Sequence, residues 1–210
     1  MTTHIFLWNT EGMCLHPVMQ VTTTTLEMRS PDQLRPSRRL VGGLRIERVA
    51  AITPEYLRWL YAAVGGPWRW TDRLGWSRAQ WADELAEPGA EVWVAYDAGA
   101  PAGYAQLRAA AEGEGTAVEI RYFGLIESAI GRGLGGRLLT EVIAQAWTLP
   151  GRYDLPDATR VWLHTGTLDG PQALANYRAR GFEVIGSVDT DEDYPEHAPG
   201  AWTATTGLTG

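Results

Sequence analysis

Leu44-Arg45-Ile46-Glu47-Arg48-Val49 alternates apolar and charged side chains, the period of a strand with one buried face. From Tyr56 the period changes, and Tyr56, Leu57, Leu60, Tyr61 and Val64 recur at helical spacing. Thr53 supplies an N-cap, Pro54 suits the first turn, and Gly65-Gly66 stops the run. Ser77 with Gln80 forms a capping box, which predicts a second helix from Arg78 to about Ala86. Glu91 to Tyr96 and Ala102 to Arg108 read as strands around Asp97-Ala98-Gly99-Ala100, a hairpin signal. A third run, Ala117 to Leu125, comes after Gly113-Glu114-Gly115, so three antiparallel strands are predicted in succession. Leu134, Leu138, Leu139, Val142, Ile143, Ala146 and Trp147 mark one face of a long helix that Pro150-Gly151 should end. Arg160 to Leu163 reads as a buried strand. Asp169, with Gln172 at the capping-box position, reads as the cap of a helix through Arg180, stopped by Gly181. Phe182 to Val188 is the next strand.

The two ends differ from this middle. Val21 to Leu26, with four threonines, favours extended backbone, and Pro31 and Pro36 then mark an irregular connector. Residues 1–42 are therefore expected to be an N-terminal extension, 43–189 the domain, and 190–210 a tail. The tail region is expected to hold a solvated acidic stretch, Asp189 to Asp193, and a last strand near Trp202. No internal repeat is visible.

Composition narrows the class. With 210 residues, 45% apolar and 20% charged, the chain can bury an ordinary core. No run approaches the ~20 apolar residues of a membrane span. Met1-Thr2-Thr3-His4 lacks the basic start of a secretory signal, and Glu11 and His16 soon interrupt the short apolar stretch beside it, so a cytoplasmic protein is expected. The single cysteine, Cys14, excludes an internal disulfide and a multi-cysteine zinc site, and no metal is expected. A net charge of −7, from 18 basic and 25 acidic residues, argues against a nucleic-acid partner. Of ten tryptophans, Trp68, Trp70, Trp76 and Trp81 crowd the segment around the second predicted helix.

The chemistry-bearing stretch is Glu119-Ile120-Arg121-Tyr122-Phe123-Gly124-Leu125, then Gly131-Arg132-Gly133-Leu134-Gly135-Gly136-Arg137. A strand feeding a glycine turn at a helix start presents free main-chain N–H groups and the positive helix end to one point. That combination suits a phosphate or diphosphate, with Arg132 and Arg137 adding charge; a purely structural turn is the competing reading. A Walker loop fails because no Gly-Lys-Ser/Thr comes next. A dinucleotide fingerprint fits poorly because the preceding strand belongs to an antiparallel meander. Further on, Tyr177 stands four residues before Gly181-Phe182 at the end of the later helix.

These ordered features resemble the GNAT superfamily of acyl-CoA-dependent N-acetyltransferases over roughly Leu44 to Val188. They are the strand, glycine turn and helix, the next strand, and the helix ending Tyr-x-x-x-Gly-Phe. The resemblance implies a single α/β (α+β) domain, its mixed, mostly antiparallel sheet carrying a splayed central strand pair flanked by helices. It implies acetyl transfer from acetyl-CoA to a primary amine by direct attack, the acceptor being a small molecule or a protein amine. The alternative is a non-catalytic acyl-CoA-binding sensor or partner module. Dimers are common among similar proteins.

Residue by residue, the family's Gln/Arg-x-x-Gly-x-Gly/Ala turn matches Ile130 to Gly135, whose amides, with Gly136, would hold the diphosphate. Ile130 departs from the usual Gln or Arg. Phe123, Gly124 and Leu125 would receive the pantetheine arm as an added strand. Thr165 stands where the family often has Asn. Tyr177 matches the tyrosine that protonates the departing thiolate. Glu119 matches a glutamate that serves as base in some members, with a salt bridge to Arg121 as its competing role. His164 is the second candidate base, or a structural histidine. Trp68, Trp70 and Trp76, with Asp72 and Arg73, fall where the family recognises its acceptor, unless they only close a hydrophobic cluster. Cys14 lends no support to a covalent enzyme intermediate.

Overall fold

The computed structural model describes residues 18–39, 41–195 and 197–207. Cys14 and the first four residues lie outside the described residues. Seven strands form one sheet: β1 (Val18–Met28), β2 (Leu44–Arg48), β3 (Glu91–Asp97), β4 (Ala100–Glu112), β5 (Gly115–Leu125), β6 (Ala158–Gly166) and β7 (Glu183–Asp193). Their spatial order is β2-β3-β4-β5-β6-β1-β7. Neighbours run antiparallel except β5 and β6, which are parallel.

Strand alternation divides the core between the two faces. Along β3, Trp93 and Ala95 join the layer under α3 (Leu134–Arg152), where Leu138, Leu139, Val142 and Ile143 are buried. Val92 and Val94 face the other way, toward α1 (Pro54–Gly65) and α2 (Arg78–Ala86). Both of those helices start as their sequences require. The Thr53 side chain accepts from the Tyr56 N–H, and Ser77 and Gln80 close a reciprocal capping box.

The structure departs from the sequence reading at several places. Strand β1 is no appendage: it sits inside the sheet, between β6 and β7, in register with both. Its Leu26 and Met28 are fully buried, so the sheet is incomplete without it. Pro150 and Gly151 lie within the last turns of α3 rather than ending it. The acidic run from Asp189 to Asp193 is the exposed end of β7. Trp202 belongs to a short helix, α5 (Gly200–Thr206), packed against α1, and not to a strand. Asp169 caps nothing: α4 (Ala173–Ala179) begins four residues later, after Gln172, with no side-chain cap.

The feature that makes a site is a fork. β5 and β6 pair only from Thr116 and Ala158 to Glu119 and Trp162. Beyond that point β5 stays with β4 to Leu125, while β6 stays with β1 to Gly166. A bulge sits where they part: Gln106 opposes Tyr122 and Leu107 opposes Ile120, leaving Arg121 as the extra residue. An extra residue in one strand bends it, and here it helps turn β5 from β6.

Candidate active site

The fork opens on a cleft of about 550 Å³ between β5, α4 and the start of α3. Phe123, Gly124 and Leu125 form one wall. The Ile126 N–H donates to the Ala102 carbonyl on β4, so strand alternation turns the N–H groups of Leu125 and Phe123 toward the open side. The glycine turn forms the far end of the cleft. Gly131 (φ +79°) and Gly133 (φ +85°) take left-handed conformations that favour glycine. Gly133 leads directly into α3 and no side chain caps that helix, which leaves its first N–H groups available at the positive helix end.

Ile130, Gly131, Gly133, Gly135 and Gly136 all line the cleft. Arg132 and Arg137 do not present their side chains to it. The Arg132 guanidinium donates to Asp97, and Arg137 donates to the Ser37 carbonyl at 3.4 Å. Thr165 is also outside the cleft wall, donating its hydroxyl to Asp169 at 2.6 Å. Tyr177, on α4, is buried against Phe123 and Phe182 with ring centroids 5.8 and 6.3 Å away. Its hydroxyl makes no hydrogen bond among the described residues. Burial, with the negative charge of Asp169 adding to it, pushes the phenol well above its ordinary range, so it stays protonated.

A smaller cavity of about 240 Å³ lies on the α1 side of the fork. Trp68, Trp70 and Asp169 line both spaces, so the two meet at these residues. Trp70 is seated against Gly65, where a β-carbon would come 2.4 Å from its ring. It packs on Tyr61 and Tyr122 at 5.6 and 5.2 Å. Asp72 accepts a short hydrogen bond from the Tyr61 hydroxyl, whose pKa burial and this bond both raise. Asp169 accepts from the Thr165 hydroxyl, the Gly166 N–H and Trp70 Nε1. Trp76 reaches neither space; it packs on Trp81, with the Arg73 guanidinium 4.3 Å above its ring.

Glu119 sits at the last paired rung, beneath the cavity. Its carboxylate is 3.7 Å from the Arg121 guanidinium and 3.8 Å from His164 Nδ1, and His164 lines the cavity. Arg121 also pairs with Glu84 at 3.0 Å, and Glu84 holds Arg73 at 3.2 Å. This chain of charges ties the tryptophan loop to the fork. Sequence reasoning missed Arg121, Tyr122, Asn176 and Tyr194 as lining residues and misread Asp169 as a cap. No spacing rule marks them, because separate elements bring them together.

The family model for the acetyltransferase (GNAT) family matches residues 52–182. The chain belongs to this family. Among solved structures, a GCN5-related N-acetyltransferase from Kribbella flavida is 21% identical, with a TM-score of 0.55, covering 81% of this chain and 58% of that one. An aminoglycoside acetyltransferase from an uncultured soil metagenomic sample, in complex with trehalose, is 17% identical, with a TM-score of 0.54, covering 68% and 90%. A GCN5-related N-acetyltransferase from Sphaerobacter thermophilus is 16% identical, with a TM-score of 0.52, covering 83% and 52%. The chain thus spans little more than half of the first and third of these proteins. At these identities the likeness concerns the fold. No curated protein matches the chain. Among the described residues, no helix is long and apolar enough to cross a membrane, and no group of His, Cys, Asp or Glu is placed to hold a metal ion.

Proposed function

We propose that this GNAT protein transfers the acetyl group of acetyl-CoA to the primary amine of a small molecule. The observation that carries the reading is the fork: β5 and β6 part beside the uncapped start of α3, with Tyr177 on the wall. Uncapped N–H groups at a helix start suit a diphosphate. The free edge of β5 suits an extended amide-bearing arm. The second cavity suits the acceptor, since tryptophan faces attract a cationic amine and Asp72 and Asp169 balance its charge. An aminoglycoside acetyltransferase among the structural neighbours supports a small-molecule amine.

In this reading the acceptor enters as an ammonium and loses a proton by way of His164 to Glu119. Its nitrogen attacks the thioester carbonyl carbon, which an outward N–H of β5 polarises. The new carbon–nitrogen bond forms as the carbon–sulfur bond breaks, and Tyr177 gives its phenolic proton to the departing sulfur. The acetylated nitrogen then sheds its remaining extra proton, directly or through water, to the Tyr177 phenolate, and Glu119 returns to solvent the proton it took, so both groups are reset. The test is thiol release across an amine library, with acetyl-CoA and longer acyl donors, alongside melting curves with CoA and with ATP. Amine-dependent thiol release, with a higher melting temperature in CoA alone, is expected. Absence of both thiol release and a CoA shift would overturn the reading; CoA binding without turnover would make the protein a sensor.

A further inference from the structure

Arg39 belongs to the connector between β1 and β2, outside the residues matched by the family model. It nevertheless lines the cleft. The connector rides on the start of α3: the Ser37 N–H donates to Thr140 Oγ1 at 2.9 Å, Arg137 reaches the Ser37 carbonyl, and the Arg35 N–H donates to the Arg180 carbonyl at 2.9 Å. Two residues beyond Ser37, the Arg39 side chain lies across Gly133. A β-carbon built at Gly133 would come within 2.3 Å of Arg39 Cδ and 2.4 Å of its Nε. Glycine is favoured at 133 by its positive φ, and the Arg39 side chain occupies the space beside it that a β-carbon would fill.

The charge inventory of the cleft gives the contact its meaning. Among the described lining residues the charged side chains are Arg39 and Asp169, and Asp169 stands at the opposite end, where the acceptor cavity begins. The cations expected at the turn are engaged elsewhere: Arg132 with Asp97 and Arg137 with a main-chain carbonyl. Ile130, exposed at the turn, is apolar. Arg39 itself makes no hydrogen bond or ion pair among the described residues. A planar guanidinium left unpaired above uncapped N–H groups is matched to a tetrahedral oxyanion, which it can grip by two parallel bonds.

We infer that Arg39 is a phosphate-binding residue of this cleft, closing over the diphosphate that the first turn of α3 holds from below. The inference rests on the acyl-CoA reading above. It assigns a ligand contact to a segment that the family match leaves out.

The test is calorimetric titration of the full chain with three ligands: CoA, dephospho-CoA, which lacks the 3′-phosphate, and pantetheine, which lacks all phosphates. Arg39→Ala should weaken CoA and dephospho-CoA alike by about 20-fold and leave pantetheine unchanged. Arg39→Lys should recover part of that loss, and raising the salt should shrink the difference between wild type and Arg39→Ala. Equal loss on all three ligands would make Arg39 a structural strap and overturn the inference. So would unchanged or tighter CoA binding in Arg39→Ala, or a loss seen with CoA but not with dephospho-CoA. Wild-type protein that binds none of the three would instead overturn the acyl-CoA reading itself.

Discussion

The two ends of the β5–β6 pair use polar groups in opposite ways. At the paired end, Val118 and Val161 are fully buried and the charges nearby are engaged with one another. The Glu91 carboxylate, almost wholly enclosed, takes Arg48 at 3.0 Å, Arg152 at 2.8 Å and Trp93 Nε1 at 2.9 Å. Arg160 joins Glu112 and Glu27 across β4, β6 and β1. At the parted end, α3 starts uncapped, and neither the Tyr177 hydroxyl nor the exposed Arg39 guanidinium has a partner among the described residues. These donors open on the cleft and not on protein neighbours, which leaves them free to meet a ligand. The paired end holds the sheet; the parted end waits for chemistry.

Substitutions at the two ends should therefore separate cleanly into activity and stability. Tyr177→Phe should lower kcat for acetyl transfer by about 100- to 1,000-fold, about 3–4 kcal/mol in the barrier, with an almost unchanged melting temperature. Steady-state thiol release beside calorimetry checks this, and unaltered kcat would return Tyr177 to a packing role. Leu149→Ala, fully buried near the end of α3, should cost about 3 kcal/mol in denaturant unfolding while leaving KM for both substrates alone.

Glu91→Gln should cost about 2 kcal/mol at pH 7, less than a fully enclosed pair because both arginines reach solvent. Burial pushes the Glu91 carboxyl up, but hydrogen bonds from Arg152 and Trp93 and the charge of Arg152 more than offset it, so the net shift is downward. A carboxyl lowered by folding stabilises the protein above the ordinary glutamate range, near ~4.3, and that contribution disappears as pH falls through the lowered value. Unfolding curves for wild type and Glu91→Gln should thus converge in acid. The smallest effect belongs to Trp68→Ala, which should raise KM for the acceptor about tenfold, with kcat and the melting temperature moving less than in the variants above.

Local signals in the chain are strong wherever a neighbour in sequence supplies the partner. The caps at Thr53 and Ser77, the meander from Glu91 to Leu125, and the apolar stripe from Leu134 to Ala146 are all read from nearby residues. So is the glycine turn, whose backbone needs are written in its residue types. Position within the sheet was not legible. Val21 to Leu26 reads as extended, but nothing in it says that it will slot between β6 and β7, more than a hundred residues away. Asp169 and Gln172 carry a capping pattern, yet Asp169 is drawn to Thr165, Gly166 and Trp70 instead. The parting of β5 from β6 was expected through the family resemblance alone, with no local pattern to mark it, and the meeting of two cavities at Trp70 and the crossing of Arg39 over Gly133 emerge only when separate elements pack. Periodicity reports which face of an element is buried; it carries no information about what that face, or an unpaired strand edge, will meet.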